Sequence, residues 1–284
     1  MNFLRSFLAS LLGSLIALGL FFIFILFIIS VTASIINTST LSKPLQSNSV
    51  LTLDLNLPIV ERSPVFDEIQ AILGVDKEFI ALPNILSAIK NAGENPKIMG
   101  IRLRSDFISS GWAQTNTIRK ALNSFKTKGK FIYAYGDFFT QKGYFLASAA
   151  DSIFLNPSGV FELKGLASEI LYYRDFQDNY GFKMEVIRYG KYKSAVEPFL
   201  ESEMSDENRF QITSLLQDLW FTIRKKISDS RFLTPEQVDE LARNEEIAIP
   251  EKAMKAKLVD GLAYEDDFDR KIKLRLGLDE DEKL

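Results

Sequence analysis

Apolar residues run almost unbroken near the start of the chain and become periodic after it. Phe7 to Ser30 is interrupted only by the small residues Ser10, Gly13, Ser14 and Gly19. As a helix this stretch exceeds the roughly 30 Å hydrocarbon core of a bilayer, which predicts one transmembrane helix over 7–30. Cleavable signal peptides carry apolar regions of only about 7–15 residues, so the stretch reads as a retained anchor, with a cleaved signal peptide as the alternative. Residues 31–48, rich in Ser, Thr and Asn, read as a stalk.

From Ser49 the pattern switches between periods of about two and about 3.6. Ser49 to Leu57 predicts a strand ended by Pro58, and 63–78 an irregular or short-helical insertion. Pro83 to Ala92 predicts a helix, Ile98 to Leu103 a second strand, Trp112 to Phe125 a helix with Ile118, Leu122 and Phe125 aligned, and Phe131 to Tyr135 a third strand. Gln141 to Ala150 reads as a short helix of small residues, Ser152 to Leu155 as a fourth strand, and Asn156-Pro157-Ser158-Gly159 as a turn. A helix follows over Leu171 to Asn179, then a strand over Lys183 to Tyr189 that runs into Gly190. The longest soluble helix spans Ser205 to about Asp229, with Ile212, Leu215, Leu216, Leu219, Ile223 and Ile227 as its apolar face. Thr234-Pro235-Glu236-Gln237 spells a capping box, Glu251 to Lys257 a last short helix and Asp260-Gly261 a turn. Strands alternating with helices predict an α/β domain with a largely parallel sheet over 49–275. The acidic end, 276–284, reads as a tail or the start of a linker.

Composition narrows the chemistry. The chain has no Cys and no His, which removes cysteine nucleophiles, Ser-His-Asp triads, disulfides and the usual zinc sites. No metal or cofactor is expected. A hydrolase of this composition needs Ser or Thr with Lys, or carboxylates. The net charge is −3, and the first 50 residues contain no Asp or Glu, so the remainder is mildly acidic and carries no footprint for nucleic acid. Arg5 precedes the apolar run, which argues for residues 1–6 in the cytoplasm and the bulk of the chain outside.

The candidate for chemistry is Lys193, in Tyr192-Lys193-Ser194-Ala195-Val196-Glu197-Pro198-Phe199. A lysine among apolar residues can act as a general base, because burial disfavours the ammonium. A lysine in such a turn is otherwise a solvated surface charge. Pro198 is read as stopping a regular helix. Ser194 adjoins Lys193, but neighbours in an extended segment point apart. Ser148 reads as a packing residue in an Ala-rich helix, and Ser158 as a turn residue. Lys142 is a second cation or a solvated one. Glu197 is placed to pair with Lys191 or to hold Lys193 charged. Tyr133, Tyr135, Tyr144, Tyr172 and Tyr173 line either a groove or the core.

The run 192–199 resembles the lysine motif of the signal peptide peptidase A (protease IV) family in its long two-domain form. Further matches are Tyr135-Gly136, Gly143-Tyr144-Phe145-Leu146-Ala147-Ser148, Asn156-Pro157-Ser158-Gly159, Leu171-Tyr172-Tyr173 and Leu258-Val259-Asp260-Gly261-Leu262. The resemblance covers roughly residues 50–275 and matches the family's N-terminal half. It implies a crotonase-like (ClpP-like) fold and a membrane-anchored serine endopeptidase with a Ser/Lys dyad, in which Lys193 is the base. It also implies cleaved signal peptides and other apolar extended peptides as substrates, a ring-shaped homo-oligomer, and a single-pass protein of the bacterial inner membrane with its bulk on the periplasmic side.

The nucleophile is missing from this stretch. In the family's serine-bearing half, the serine heads the small-residue helix in a Ser-Gly-Gly-Tyr-like context. The corresponding run here is Gln141-Lys142-Gly143-Tyr144. The Pro-Gly-Gly oxyanion turn is replaced by Ile108-Ser109-Ser110-Gly111. The chain is therefore expected to supply the lysine while a C-terminal half outside it supplies the serine. The rival reading is a catalytically inactive, membrane-tethered crotonase-like scaffold that binds peptides. An acyl-CoA enzyme of the crotonase type fits neither the anchor nor the turn.

Overall fold

The computed structural model describes residues 2–39, 45–62, 79–279 and 282. The predicted insertion over 63–78 lies outside them, as do residues 280, 281, 283 and 284 of the acidic end. The chain divides into two compact units. The first holds α1 (Asn2–Ser39), whose segment Phe3–Ser30 is long and apolar enough to cross a membrane. The helix continues past the end of that apolar segment into residues read as a stalk.

The second unit is built on five parallel strands, β1 (Ser49–Asp54), β4 (Ile98–Arg104), β5 (Phe131–Phe139), β6 (Ser152–Phe161) and β7 (Gly261–Leu262), in the order β1-β4-β5-β6-β7. A small parallel pair, β2 (Ile59–Val60) and β3 (Ile80–Ala81), lies apart from them. Helices α2 (Leu82–Glu94), α3 (Trp112–Lys126) and α4 (Gln141–Ala147) follow β3, β4 and β5. After β6 come α5 (Arg174–Tyr180), α6 (Glu197–Leu200), α7 (Asp206–Arg231), α8 (Pro235–Arg243) and α9 (Pro250–Lys255), and α10 (Glu265–Leu276) follows β7.

Alternation along the strands fixes the two faces. Ile101 and Leu103 stand in register with Ile132 and Ala134, Ala134 with Ile153, and Gly136 with Leu155. The six apolar side chains among them are fully buried. They share a core with Ile85 and Ile89 of α2, Ile118 and Leu122 of α3, and Ile223 and Ile227 of α7. Each such side chain stabilises the fold by about 1.5–3 kcal/mol relative to exposure. The opposite face carries Phe131, Tyr133, Tyr135 and Phe154, and α10 covers it with Phe268 and Ile272. At the edge of this second cluster Arg102 binds Glu265 at 2.6 Å and Asp269 at 2.8 Å. Both faces of the sheet are thus covered by helices, as a parallel sheet requires. This is the crotonase-like arrangement that the sequence predicts.

One buried cation ties three helices together. Arg119 of α3 donates to the Phe145 carbonyl and to Ser148 Oγ at the end of α4, and to the Lys226 carbonyl and Ser230 Oγ of α7. Burial lowers its pKa to about 10, so it stays charged at neutral pH. Ser148, read from sequence as a packing residue, is one of its fully buried partners.

Several elements differ from the sequence-based expectation. The predicted turn Asn156–Gly159 lies inside β6 as a bulge. Pairing passes from Gly136–Leu155 directly to Phe138–Val160, so Asp137 alone faces four residues. Turn chemistry survives locally, since Asn156 Oδ1 accepts from the Ser158 amide at 2.9 Å. Pro157 sits where no ladder donor is needed. Lys183–Tyr189 joins no sheet. Ile187 and Tyr189 are almost wholly exposed. An alternating pattern marks a strand only where a neighbouring edge exists to bury one side, and this segment belongs to an arm that leaves the body between β6 and α7. Pro198 does not stop a helix there but sits in the first turn of α6, where its missing N–H costs nothing. On α7 the predicted apolar stripe is buried at Ile223 and Ile227, while Leu215 is exposed.

Candidate active site

Two turns at the carboxyl end of the sheet meet at the head of α4. The first, residues 105–111, joins β4 to α3. The second is Thr140, which joins β5 to α4. Thr140 donates from both its amide (3.1 Å) and its hydroxyl (2.9 Å) to the Asp106 carbonyl, and its hydroxyl caps α4 by accepting from the Gly143 amide. Ser105 Oγ donates to the Gly143 carbonyl at 3.1 Å. The buried Asp106 carboxylate accepts from the Asp137 amide at 2.6 Å and from Asn56 at 2.9 Å. Helix α4 can approach this closely because residue 143 has no side chain. A Cβ there would stand 2.1 Å from the Ser105 carbonyl oxygen.

At the head of α4, Gln141 replaces chemistry with architecture. Its Oε1 accepts from the amides of Lys164 and Gly165, both at 2.9 Å, and its Nε2 donates to the Gly165 carbonyl at 2.9 Å. All of these partners lie where the chain leaves β6 for the arm. An amide has no nucleophilic oxygen to offer, and this one is bonded through both its oxygen and its nitrogen. The opposing turn is equally committed. The Gly111 amide donates to Gln114 Oε1 at 2.8 Å in the first turn of α3, and Lys142 Nζ donates to the Ser110 carbonyl at 2.6 Å. Lys142 is half-buried against the Trp112 ring, and burial lowers its pKa. Gln141→Ala is expected to release the base of the arm, with amide hydrogen exchange at Lys164 and Gly165 accelerating about 5–30-fold, as loss of roughly 1–2 kcal/mol of hydrogen bonding implies. Unchanged exchange at both amides would show that the clamp is not what orders them.

Lys193 is on the arm. Two segments of the arm hold each other. The Tyr173 amide donates to the Pro198 carbonyl at 2.6 Å, Gln177 donates to the Phe199 carbonyl at 2.8 Å, and the Tyr173 and Phe199 rings stack with centroids 5.6 Å apart. Lys193 itself is exposed and has no ion pair among the described residues. The apolar neighbours expected to bury it do not cover it in this chain. It borders an open groove of about 840 Å³ whose wall includes Val186, Ile187, Tyr189, Tyr192 and Ser194. Ser194 begins a single 3₁₀ turn over Ser194–Val196 rather than an extended segment. Neither Gln141 nor Lys142 is among the residues that line this groove.

The expected partners of Glu197 are also corrected. Lys191 pairs with Glu207 at 3.4 Å instead. Glu197 is buried beneath the arm, where its carboxylate accepts from Ser205 Oγ at 2.5 Å and from Asn208 at 2.9 Å. Sequence reading missed this. The available signal was the spacing Ser205–Asn208, a cap and its third residue, just beyond an acid followed by proline. Of the tyrosines, Tyr135 and Tyr144 are core residues and Tyr173 belongs to the arm.

Comparison with known proteins follows this geometry. The profile of the family described as Peptidase family S49 matches residues 124–279, just over half of the chain. A protein named Serine protease SPPA, chloroplastic, from Arabidopsis thaliana is 30% identical over 205 residues, 72% of this chain and 30% of that protein. Protease 4 of Salmonella typhi is 31% identical over 230 residues, 78% of this chain and 37% of that protein. Protease 4 of Haemophilus influenzae is 33% identical over 156 residues, 55% of this chain and 25% of that protein. The chain thus spans about a third of the length of these relatives. The matched region runs from α3 through the arm to the end of α10 and includes Lys193, and on this evidence the chain belongs to peptidase family S49.

Proposed function

We propose that this chain is the lysine-bearing part of a membrane-anchored serine endopeptidase of the signal peptide peptidase A type. The observation that carries the reading is the pairing of two features. Lys193 is presented, exposed and without an ion pair among the described residues, beside an open groove with partly apolar walls, while the position at the head of α4 holds a glutamine locked to backbone. In this reading the serine comes from a polypeptide segment outside residues 1–284. Its arrival against the groove would bury Lys193 and favour the neutral amine. The neutral Nζ takes the proton from the serine Oγ as the oxygen attacks the scissile carbonyl. The resulting ammonium returns that proton to the leaving amine. Water, deprotonated by the same lysine, then releases the acyl group. The apolar walls suit extended apolar peptides, and remnant signal peptides released into the membrane fit that description. Helix α1 would tether the chain to the membrane, with its bulk on the periplasmic side in a bacterial cell. The exposed arm and the uncovered part of α7 would pack against neighbouring copies in a ring.

The test is covalent labelling of the native membrane protein with a fluorophosphonate, followed by mapping of the labelled peptide. The expected result is one labelled serine, outside residues 1–284. Label on Ser194, Ser148 or Ser158 would overturn the assignment of the nucleophile. Absence of any labelled serine and of peptide hydrolysis in the native protein would favour the inactive scaffold, a reading supported by the closed head of α4.

A further inference from the structure

Glu197 is a buried carboxylate in a part of the molecule that has almost no core. It is 1% exposed, whereas most of the arm around it is open to solvent. Removing a carboxylate from water costs several kcal/mol unless its oxygens are bonded. Here both are. Oε1 accepts from Ser205 Oγ at 2.5 Å, and Oε2 accepts from Asn208 Nδ2 at 2.9 Å and, more weakly, from the Ser205 amide at 3.4 Å. Ser205 is the N-cap of α7, and its Oγ accepts from the Asn208 amide. The carboxylate therefore rests on the positive end of a 26-residue helix, where the unpaired amides and the dipole favour an anion. That helix is anchored at its far end in the main core by Ile223 and Ile227.

The same carboxylate reaches the lysine loop. Arg188 Nη1 stands 3.8 Å from Glu197 Oε1 and donates to the Lys193 carbonyl at 3.4 Å. Its other nitrogen, Nη2, lies 3.6 Å from Glu201. Glu197 also follows Lys193 by only four residues, through the single 3₁₀ turn and into α6. Two routes, one covalent and one through Arg188, thus lead from the N-terminus of α7 to the backbone of Lys193. No other buried charged side chain among the described residues lies in the arm.

We infer that Glu197 is a positioning residue for Lys193: with Arg188 it fixes the lysine-bearing loop on the N-terminus of α7, so that the lysine meets its serine in reactive geometry. The inference rests on the reading of Lys193 as the general base. It assigns Glu197 no proton transfer and no contact with substrate. A displacement of about 1 Å at a reacting group can cost on the order of 100-fold in rate, so a loosened loop should register in turnover rather than in binding.

The experiment compares Glu197→Gln, Arg188→Met, Lys193→Met and the double variant Lys193→Met/Glu197→Gln in the complete, assembled membrane protein, using a fluorogenic apolar peptide. Gln keeps the shape of Glu but places an N–H donor against Asn208 and loses the attraction for Arg188. E197Q is expected to lower kcat about 10–100-fold with KM within about twofold, and R188M about 5–10-fold. Glu197→Asp keeps the charge and should recover part of the loss. Because Glu197 acts through Lys193, the double variant should be no slower than K193M alone. Two results overturn the inference while leaving the base reading intact: E197Q and R188M both within twofold of wild type while K193M is inactive, or a double variant slower than K193M by the whole E197Q factor, which marks an independent structural effect. Full activity in K193M would remove the base reading and this inference with it. If E197Q fails to assemble, R188M and its own cycle with K193M decide in the same way, since Arg188 is part-exposed and its loss leaves the α7 cap in place.

Discussion

Replacing Lys193 by methionine in the complete protein is expected to lower peptide hydrolysis by about 10²–10⁴-fold, the range that a positioned general base contributes. Methionine keeps an unbranched apolar stem and removes the proton acceptor. Its effect on stability is expected to stay within about 0.5 kcal/mol, because Lys193 is exposed and has no ion pair among the described residues. Loss of turnover without loss of melting temperature or assembly is the signature of a chemical role. Lys193→Arg sharpens the test. Arginine retains the positive charge but stays protonated at any accessible pH and cannot accept a proton. If Lys193 served only to attract an anionic group, K193R would keep most of the activity. As a base it should be as inactive as K193M. Steady-state rates of the three proteins on one peptide distinguish the cases, and an unchanged rate in K193M would remove the Ser/Lys dyad from consideration.

The sheet was legible because its central strands bury alternate apolar residues completely on one face. Ile101, Leu103, Ile132, Ile153 and Leu155 announce their strands without reference to anything distant. The helix caps were legible for a similar reason. Thr234 and Gln237 sit three residues apart and bond each other's backbone, as the capping box at the head of α8 shows. The arm was not legible. Met184, Val186 and Ile187 carry the composition of a strand, but whether an edge lies beside them depends on the path of the chain after β6. The bulge at 156–159 was missed because its residues are those of a turn, and only the continuation of pairing at Val160 and Phe161 makes it part of a strand. The site divides along the same line. That Gln141 is no nucleophile follows from its identity alone. That its amide holds Lys164 and Gly165 is a contact across more than twenty residues, with no local signature. Glu197 illustrates the limit most clearly. Its neighbours in sequence suggested a lysine partner, while its actual partners lie at the start of the next long helix.

Gly143→Ala is expected to destabilise the second unit by about 3 kcal/mol or more, although it adds a single methyl group. The added Cβ would stand 2.1 Å from the Ser105 carbonyl oxygen and 2.6 Å from that of Asp106, both backbone atoms. Neither can withdraw without breaking the staple between the two turns. Ser105 Oγ is bonded to the Gly143 carbonyl, and the Asp106 carbonyl receives both the amide and the hydroxyl of Thr140. Relief by about 1 Å would have to lift α4 off the end of β4, and α4 carries Tyr144, Phe145 and Leu146, all buried in the main core. For a unit of this size, 3 kcal/mol corresponds to a fall in Tm of about 6–12 °C. Gly93→Ala is the control. Gly93 also lies in a helix, but its nearest neighbour to an added Cβ is the Phe125 ring at 3.5 Å, an ordinary contact. There the substitution should be neutral or stabilising by up to about 1 kcal/mol, through helix propensity alone. If both variants melt within about 1 kcal/mol of wild type, the two turns are not held as described. If only G143A falls, the glycine at the head of α4 is required for space rather than for backbone freedom.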